Sequence, residues 1–310
     1  MTPARSSLKG AGLAVVSAVT QAAGWLRPNA AERTPWERSA LDDIAMRRPW
    51  NLHVKRARMM ARTRLRRLDD GITVIIVNWN TKDITADVVS AVKRLSPTDV
   101  RVLVVDNGST DGSAELFRAW FGIETMVLRS NAGHGVALDL AVCATRTKVA
   151  VTLDSDAIPL AADWLDQIVE PVASQRAVLA GQRSSRGFVH PIYAAVDTAE
   201  FVRRKLSFQV HRLAGIDSNT ERWGENAWDT AELMTPRLAP DEIVFVERTE
   251  NAVPGLPGMT AGGVVYHHGG VSRATDGDIT QEALEGWRAA CRELGVDVDS
   301  LPHERDGVAF

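Results

Sequence analysis

The chain has 310 residues, of which 45% are hydrophobic and 24% are charged. This length and balance exclude a fibrous or disordered chain and fit one large globular domain or two small ones. The formal net charge of −3 is uneven, because nine Lys or Arg and no acid lie between Arg47 and Arg67, which leaves about −12 (−3 − 9) for the remainder.

The first 70 residues lack strand patterning and are expected to form a helical, basic extension. Residues 10–26 carry no charge and fit a packing or amphipathic helix, a membrane-associated segment or a cleaved signal. Residues 47–67 fit a solvated helix folded against an acidic domain, a peripheral membrane contact or a nucleic-acid contact. Because Trp36 and Trp50 form no stacking array, no nucleic-acid partner is expected.

Strands and helices alternate after Gly71. Apolar β-branched runs predict strands, and helical spacing of apolar residues behind polar caps predicts helices. The predicted strands cover residues 72–77, 100–105, 124–128 and 148–153, and the predicted helices cover 81–95, 112–121 and 133–145. Short links between them predict a mostly parallel sheet with helices on both faces. Farther along, we expect a helix at 160–172, a strand at 177–181 and a terminal helix at 278–294.

Polar clusters follow three of these strands. Asn78 to Asn80 follow the first, Asp106 follows the second, and Asp154-Ser155-Asp156 follows the fourth. Asn, Asp and Ser are also ordinary turn residues, but these clusters share the sheet edge where ligands collect in open α/β folds. Their coincidence favours a nucleotide site at this edge.

The two acids of Asp154-Ser155-Asp156 would repel each other without a compensating cation or hydrogen-bond donors. Mg²⁺ is usually held by one or two carboxylates together with substrate phosphate oxygens, and Mn²⁺ favours similar ligands. The triplet therefore predicts a site for Mg²⁺ or Mn²⁺ with a diphosphate. The two cysteines, Cys143 and Cys291, are too few for a disulfide framework, which favours a reducing, cytoplasmic location, although one disulfide stays compatible.

Four segments together resemble family 2 glycosyltransferases of the GT-A fold, most of all the rhamnosyltransferase-like members. They read IIVNWN at 75–80, VVDNGSTDG at 104–112, NAGHG at 131–135 and LDSD at 153–156. The resemblance is strong over residues 72–160 and weaker to residue 273. It implies a Rossmann-like α/β domain and inverting, metal-dependent transfer of a hexosyl or deoxyhexosyl group from a UDP- or dTDP-sugar to an acceptor hydroxyl.

The resemblance also implies roles for individual residues. Asp106 would contact the base, Asp154 the ribose or sugar, and Asp156, as the second acid of a DXD motif, the metal. Asn78, Asn80 and Asn131 are expected on the donor side. His267, in the late segment HHGGVS at 267–272, matches a family histidine that reaches the metal or diphosphate, although a structural role also fits.

An inverting transfer needs a carboxylate that takes the proton of the acceptor hydroxyl. Asp229 is the first candidate and Glu232 the second, in the segment WGENAWDTAE at 223–232, although Asp229 also fits a helix N-cap. His190 and Tyr193 are expected to line the acceptor cleft. Asp139 departs from the family pattern, and as a helical residue it either alters donor contacts or is exposed.

These inferences predict three parts. Residues 1–70 form the basic extension, 71–275 form the GT-A domain with a nucleotide-sugar half (71–160) and an acceptor half (161–275), and 276–310 form a terminal helix and tail. The acceptor would be a glycan, a lipid-linked glycan or a protein, as in cell-wall or polysaccharide synthesis. A sugar-phosphate nucleotidyltransferase and a non-catalytic GT-A-fold binding protein are the alternatives.

Overall fold

The computed structural model describes residues 50–209, 230–269 and 281–298. Residues 10–26 and Asp229 therefore lie outside the described residues, and the predictions made for them remain predictions. Within the described ranges, none of the helices combines the length and the apolar character that crossing a membrane requires.

A seven-stranded sheet, ordered β3-β2-β1-β4-β7-β6-β8, forms the centre of the fold. Its strands are β1 (Asp69–Asn78), β2 (Arg101–Asp106), β3 (Glu124–Val127), β4 (Thr147–Asp154), β6 (Leu179–Arg183), β7 (Val189–Asp197) and β8 (Ile243–Val246). Only β7 runs antiparallel to its neighbours, β4 and β6. The predicted α/β class and mostly parallel sheet are confirmed.

Helices cover both faces of this sheet. They are α1 (residues 50–62), α2 (Lys82–Leu95), α3 (Ser113–Ala119), α4 (His134–Ala144), α5 (Asp166–Ala173), α6 (Thr198–Arg203) and α7 (Gln281–Glu293). Successive β1 side chains enter opposite cores, since Ile76 packs with α2 and α5, whereas Ile75 packs with α4 and α6. Burial on both faces explains why β1 reads as a continuous apolar run.

A second, antiparallel sheet follows the end of β4. Its order is β5-β11-β10-β9, from β5 (Ala157–Pro159), β11 (Val265–His267), β10 (Met259–Ala261) and β9 (Arg248–Thr249). The helix predicted from residue 160 begins only at Asp166. The reason is that Pro159 is still paired with β11 and the Leu160 N–H donates to the Val264 carbonyl at 2.8 Å.

Helix α1 is the described part of the basic segment, and it is folded onto the domain. Val54 and Ala61 are buried against α4 and α6. Arg58 Nη2 donates to the Leu206 carbonyl and Arg64 Nη2 to the Cys143 carbonyl, each at 2.7 Å. These contacts fix which side of α1 faces the protein and which faces outward.

Candidate metal centre

Three ligand-type side chains meet at the carboxyl edge of the main sheet. Asp154 ends β4, Asp156 lies in the turn to β5, and His267 ends β11. Antiparallel pairing sets His267 opposite Ala157, so its ring lies beside Asp156. His267 Nε2 is 3.1 Å from Asp156 Oδ1 and 3.7 Å from Asp154 Oδ2, and one ligand atom from each residue lies within 4.8 Å of the others.

The side chains of this centre are largely shielded from solvent. Asp156 has no exposed surface, and the side chains of Asp154 and His267 are only 20% and 12% exposed. Burial alone would raise the pKa of Asp154. The contact with His134 and the positive charges of His134, His267 and His190 outweigh burial and hold this pKa well below its usual range.

The donor set fits a hard divalent cation. Mg²⁺ prefers carboxylate oxygens, Mn²⁺ accepts the same ligands, and imidazole suits several transition metals. Two acids and one imidazole offer carboxylate oxygens and a nitrogen within 4.8 Å of one another. Asp156 and His267, with Asp154 beside them, are therefore the residues that would hold such an ion.

His134 is a part of this centre that the sequence did not reveal. It is the first residue of α4, and its Nε2 lies 3.4 Å from Asp154 Oδ1. It stands within the segment NAGHG at 131–135, so the sequence signal was present but pointed to Asn131. Helix α4 packs against β1 and β2 and leads back from β3 to the start of β4. It therefore runs antiparallel to these strands, and its amino terminus lies at the same edge as the end of β4.

Asn78 and Asp106 join the ends of β1 and β2. Asn78 Nδ2 donates to Asp106 Oδ1 and to Ser109 Oγ, each at 3.0 Å. Its Oδ1 accepts hydrogen bonds from Thr81 and Thr85, each at 2.9 Å. All four hydrogen-bonding positions of this buried amide are thus used inside the protein, so Asn78 positions Asp106 instead of facing a ligand.

Asn80 and Asn131 tie neighbouring loops together while staying partly exposed. Asn80 adopts a left-handed backbone conformation (φ +53°), and its Oδ1 accepts from the Thr110 N–H at 2.8 Å. Asn131 Oδ1 accepts from Asn107 Nδ2 at 3.0 Å and from the Gly133 N–H at 2.8 Å. Both residues lie in loops at the same edge as Asp106.

The structure places the two residues expected in the acceptor cleft, His190 and Tyr193, in different surroundings. His190 comes close enough to Asp154 to lower its pKa. The prediction for Tyr193 is wrong, because Tyr193 is fully buried in β7 and its hydroxyl donates to the Trp164 carbonyl. The position of β7 between β4 and β6 directs this ring into the core.

Asp139 is not exposed, so one of the two expectations for it is wrong. It is fully buried in α4, where Oδ1 accepts from the Phe208 N–H at 2.8 Å. Its Oδ2 accepts from Ser207 Oγ at 2.6 Å and from Gln209 Nε2 at 2.7 Å. Gly135, one turn earlier, lies so close to this segment that a Cβ would be 2.6 Å from the Phe208 carbonyl oxygen. Helix α4 therefore anchors residues 207–209.

Gly258 lies against the strand that carries His267. Its φ of +83° favours glycine, and a Cβ there would be 2.2 Å from the His267 carbonyl oxygen and 2.8 Å from the His268 Cα. On the other side, the His268 N–H approaches the Asp156 carbonyl at 3.5 Å. The end of β11 is thus confined between Gly258 and the Asp154–Asp156 turn.

The candidate bases are not resolved by this geometry. Asp229 lies outside the described residues, and for Glu232 only the backbone is described, at the start of the 3₁₀ helix Glu232–Arg237. Their assignment rests on the sequence and stays a prediction.

Residues 73–223 match the family model of Glycosyl transferase family 2. This stretch of 151 residues (223 − 72) is just under half of the 310-residue chain and holds the Asp154–Asp156 turn but not His267. No curated protein sequence matches the chain.

Several solved structures are similar in part. Mannosyltransferase PcManGT from Pyrobaculum calidifontis, in complex with GDP-Man and Mn²⁺, is 17% identical over 84% of this chain and 83% of its own, with a TM-score of 0.41. Glucosyl-3-phosphoglycerate synthase from Mycobacterium tuberculosis, in complex with phosphoglyceric acid, is 18% identical over 74% and 81%, with a TM-score of 0.43.

The coverage differs among these structures. The same synthase in complex with Mn²⁺, UDP and phosphoglyceric acid is 19% identical over 42% of this chain, with a TM-score of 0.36. In that case and for a second mycobacterial protein, the chain spans about half of the matched structure, 56% and 53%. Similarity at this level does not by itself establish a shared substrate.

Proposed function

We propose that the chain is an inverting, metal-dependent glycosyltransferase that moves a hexosyl or deoxyhexosyl group from a UDP- or dTDP-sugar to an acceptor hydroxyl. The observation that carries the proposal is the convergence of Asp154, Asp156 and His267 at the sheet edge, within 4.8 Å of one another. The family 2 match over residues 73–223 supports the same class of reaction.

In this proposal the chain's own residues hold the donor by its charged end. Asp156 and His267 bind the cation, and Asp154, fixed by His134 at 3.4 Å, orients the ribose or sugar. A bound Mg²⁺ or Mn²⁺ would supply positive charge that stabilises the departing diphosphate. The small exposure of these side chains strengthens each of these charge interactions.

The nucleoside end is assigned to the loops after β1 and β2. Asp106 accepts hydrogen bonds from Asn78 and from the Ser109 N–H at 3.3 Å, and its carboxylate keeps further lone pairs. It therefore remains the proposed contact for the base. Asn80 and Asn131, which are partly exposed at this edge, are proposed to border the nucleoside.

Asp229, with Glu232 as the alternative, is proposed as the general base. A single displacement requires the acceptor oxygen to lose its proton as it forms the new bond at the anomeric carbon, while the bond to the diphosphate breaks on the opposite face. Asp229→Asn is expected to abolish transfer and to leave donor binding intact. Loss of transfer on Glu232→Gln alone would move the assignment to Glu232.

The test is a thermal-unfolding screen of UDP-, dTDP- and GDP-sugars with and without Mn²⁺. At a donor concentration of about 100 times Kd, mass action stabilises the native state by about 2.7 kcal/mol, a rise in Tm of roughly 5 °C. Asp156→Asn should abolish the rise that depends on Mn²⁺, whereas Asp163→Asn, an exposed turn residue, should retain it.

Three outcomes separate the alternatives. Binding of a nucleotide sugar with slow Mn²⁺-dependent release of the sugar supports a transferase. Binding without any release, for every acceptor tried, supports a binding protein of the same fold. Release of pyrophosphate from a nucleoside triphosphate and a sugar phosphate would support a nucleotidyltransferase and would overturn the proposal.

A further inference from the structure

Helix α1 has an outward face that the rest of the described protein does not cover. Three large apolar side chains on it are strongly exposed: Leu52 (53%), Met59 (64%) and Met60 (63%). At 100° per residue Leu52 and Met59 lie on the side opposite Val54 and Ala61, which are buried, and Met60 lies on the flank between the two sides. Exposed apolar side chains clustered on one helix face mark a surface for contact with another phase or molecule.

Exposed cations accompany these apolar side chains. Lys55, Arg56 and Arg62 lie on α1, and Arg66 and Arg67 lie in the 3₁₀ turn that follows it; all five are exposed and have no ion-pair partner among the described residues. The acids that follow, Asp69 and Asp70, are already paired with Arg101 and Lys148. The outward face, defined as Leu52, Met59, Met60 and these five cations, is therefore positive as well as apolar.

The orientation of the outward face is fixed by contacts on the opposite side of α1. Arg58 donates to the Leu206 carbonyl and also lies 5.2 Å from the centre of the Phe201 ring. Arg64, in the turn after α1, donates to the Cys143 carbonyl at the end of α4. Two cations thus attach the helix to the domain, while five others point away from it.

We propose that the outward face docks on an anionic phospholipid surface and holds the protein at the membrane as a peripheral protein. A helix that lies in the interface places its apolar side chains below the headgroups and its Lys and Arg among them. Clusters of four to eight such cations typically bind anionic lipid. Nucleic acid fits less well, because phosphate contacts would leave Leu52, Met59 and Met60 exposed.

The experiment measures binding of the full-length protein to vesicles by flotation. Vesicles contain phosphatidylcholine alone, or with about 30% phosphatidylglycerol, as a membrane of anionic charge. Binding is expected only with the anionic vesicles and should weaken as salt rises from about 0.05 M to about 0.5 M, because exposed charges are screened. No nucleotide sugar is present, so failure here leaves the proposed transferase activity standing.

The decisive variant reverses two charges of the outward face. Arg56→Glu with Arg62→Glu is expected to lower vesicle binding by at least about thirtyfold. The matched control, Arg118→Glu with Arg248→Glu, reverses two exposed cations elsewhere and should leave binding within about twofold. A second variant, Met59→Ser with Met60→Ser, should lower binding about tenfold through the loss of apolar contact.

Each other result overturns the proposal. No binding of the wild-type protein to anionic vesicles would do so, as would equal binding to neutral ones. Equal binding of the Arg56→Glu, Arg62→Glu variant would place the contact elsewhere in the chain. Binding to a DNA duplex of about 20 base pairs, with no binding to vesicles, would replace the lipid surface with nucleic acid. Thermal unfolding of every variant verifies that it is folded.

Discussion

Asp139 and Asp156 are both fully buried carboxylates, yet their surroundings differ. Asp139 accepts three hydrogen bonds from residues 207–209. Burial raises the pKa of Asp139, and these hydrogen bonds offset that rise only in part. Asp156 lies in a turn with a second acid, Asp154, and beside His267. The comparison teaches that burial of an acid does not define its role. The two acids differ in their partner groups. Asp139 is bonded to three donors and anchors a segment, whereas Asp156 is a candidate metal ligand.

The same contrast extends along the sheet edge. Asn78 uses all four of its hydrogen-bonding positions to join β1, β2 and α2, and belongs with Asp139. The cluster of Asp154, Asp156 and His267 instead gathers one ligand atom from each side chain within 4.8 Å, and its neighbouring histidines stabilise the ionised form of Asp154. Substitution of Asp139 or Asn78 should lower the free energy of unfolding, whereas substitution in the Asp154, Asp156 and His267 cluster should alter metal binding.

Asp139→Ala is expected to have the largest effect on stability. It should lower the free energy of unfolding by about 3–4 kcal/mol, because three donors in a buried region lose their acceptor and a cavity forms. Urea unfolding measures the change. Asp163→Ala, at an exposed turn, should change it by less than about 0.5 kcal/mol. Equal effects of the two substitutions would contradict the anchoring role of Asp139.

Asn78→Ala should follow, with a loss of about 2–3 kcal/mol. The reason is that Asp106, Ser109 and two threonine hydroxyls lose their shared partner in a buried site. Asn51→Ala on the exposed side of α1 serves as the control, with a change below about 0.5 kcal/mol. If Asn78→Ala left stability intact and abolished only donor binding, Asn78 would be a ligand residue after all.

Gly135→Ala tests how closely α4 packs on residues 207–209. Alanine favours a helix over glycine by about 1 kcal/mol, but the added Cβ would lie 2.6 Å from the Phe208 carbonyl oxygen. We expect a net loss of about 1–2 kcal/mol. Gly286→Ala in α7 has open space around the new Cβ and should instead gain up to about 1 kcal/mol. Opposite signs in urea unfolding would confirm the close approach.

Asp156→Asn should have the smallest effect on the metal-free protein. In EDTA its free energy of unfolding should fall by less than about 1 kcal/mol, because the amide keeps the volume of the carboxylate and only the contact with His267 at 3.1 Å is weakened. Added Mn²⁺ should stabilise the wild-type protein but not the variant. A loss above about 2 kcal/mol in EDTA would show that Asp156 is an anchor like Asp139.

Local patterns in the sequence predicted much of the fold. Between residues 72 and 153, apolar runs and helical spacing gave elements that begin and end within a few residues of those observed. The ends of these apolar runs predicted the ends of the strands, and therefore also the position of the Asp154–Asp156 turn. His267 was expected from its motif, but its contact with Asp156 depends on pairing of β11 with β5, which joins residues about 110 positions apart.

Non-local contacts account for what the sequence missed. Strand β7 lies between β4 and β6 in the antiparallel sense, and no local pattern around Pro191 indicates that pairing. The error for Tyr193 follows from it. The environment of Asp139 was likewise hidden, because its three donors come from a segment about 70 residues later in the chain. His134 was overlooked because it lies at the start of α4, whereas its partner, Asp154, lies 20 residues later at the end of β4.

Gly258 has a consequence for how the protein can change over evolution. A single methyl group at this position would overlap the backbone at His267 and push the end of β11 toward the acids it faces. The spacing between His267 and Asp156, 3.1 Å, thus depends on a residue that contacts only the backbone of His267 and His268 and offers no ligand atom itself. A substitution at residue 258 would therefore shift the backbone of His267 without changing any of the three ligand-type side chains.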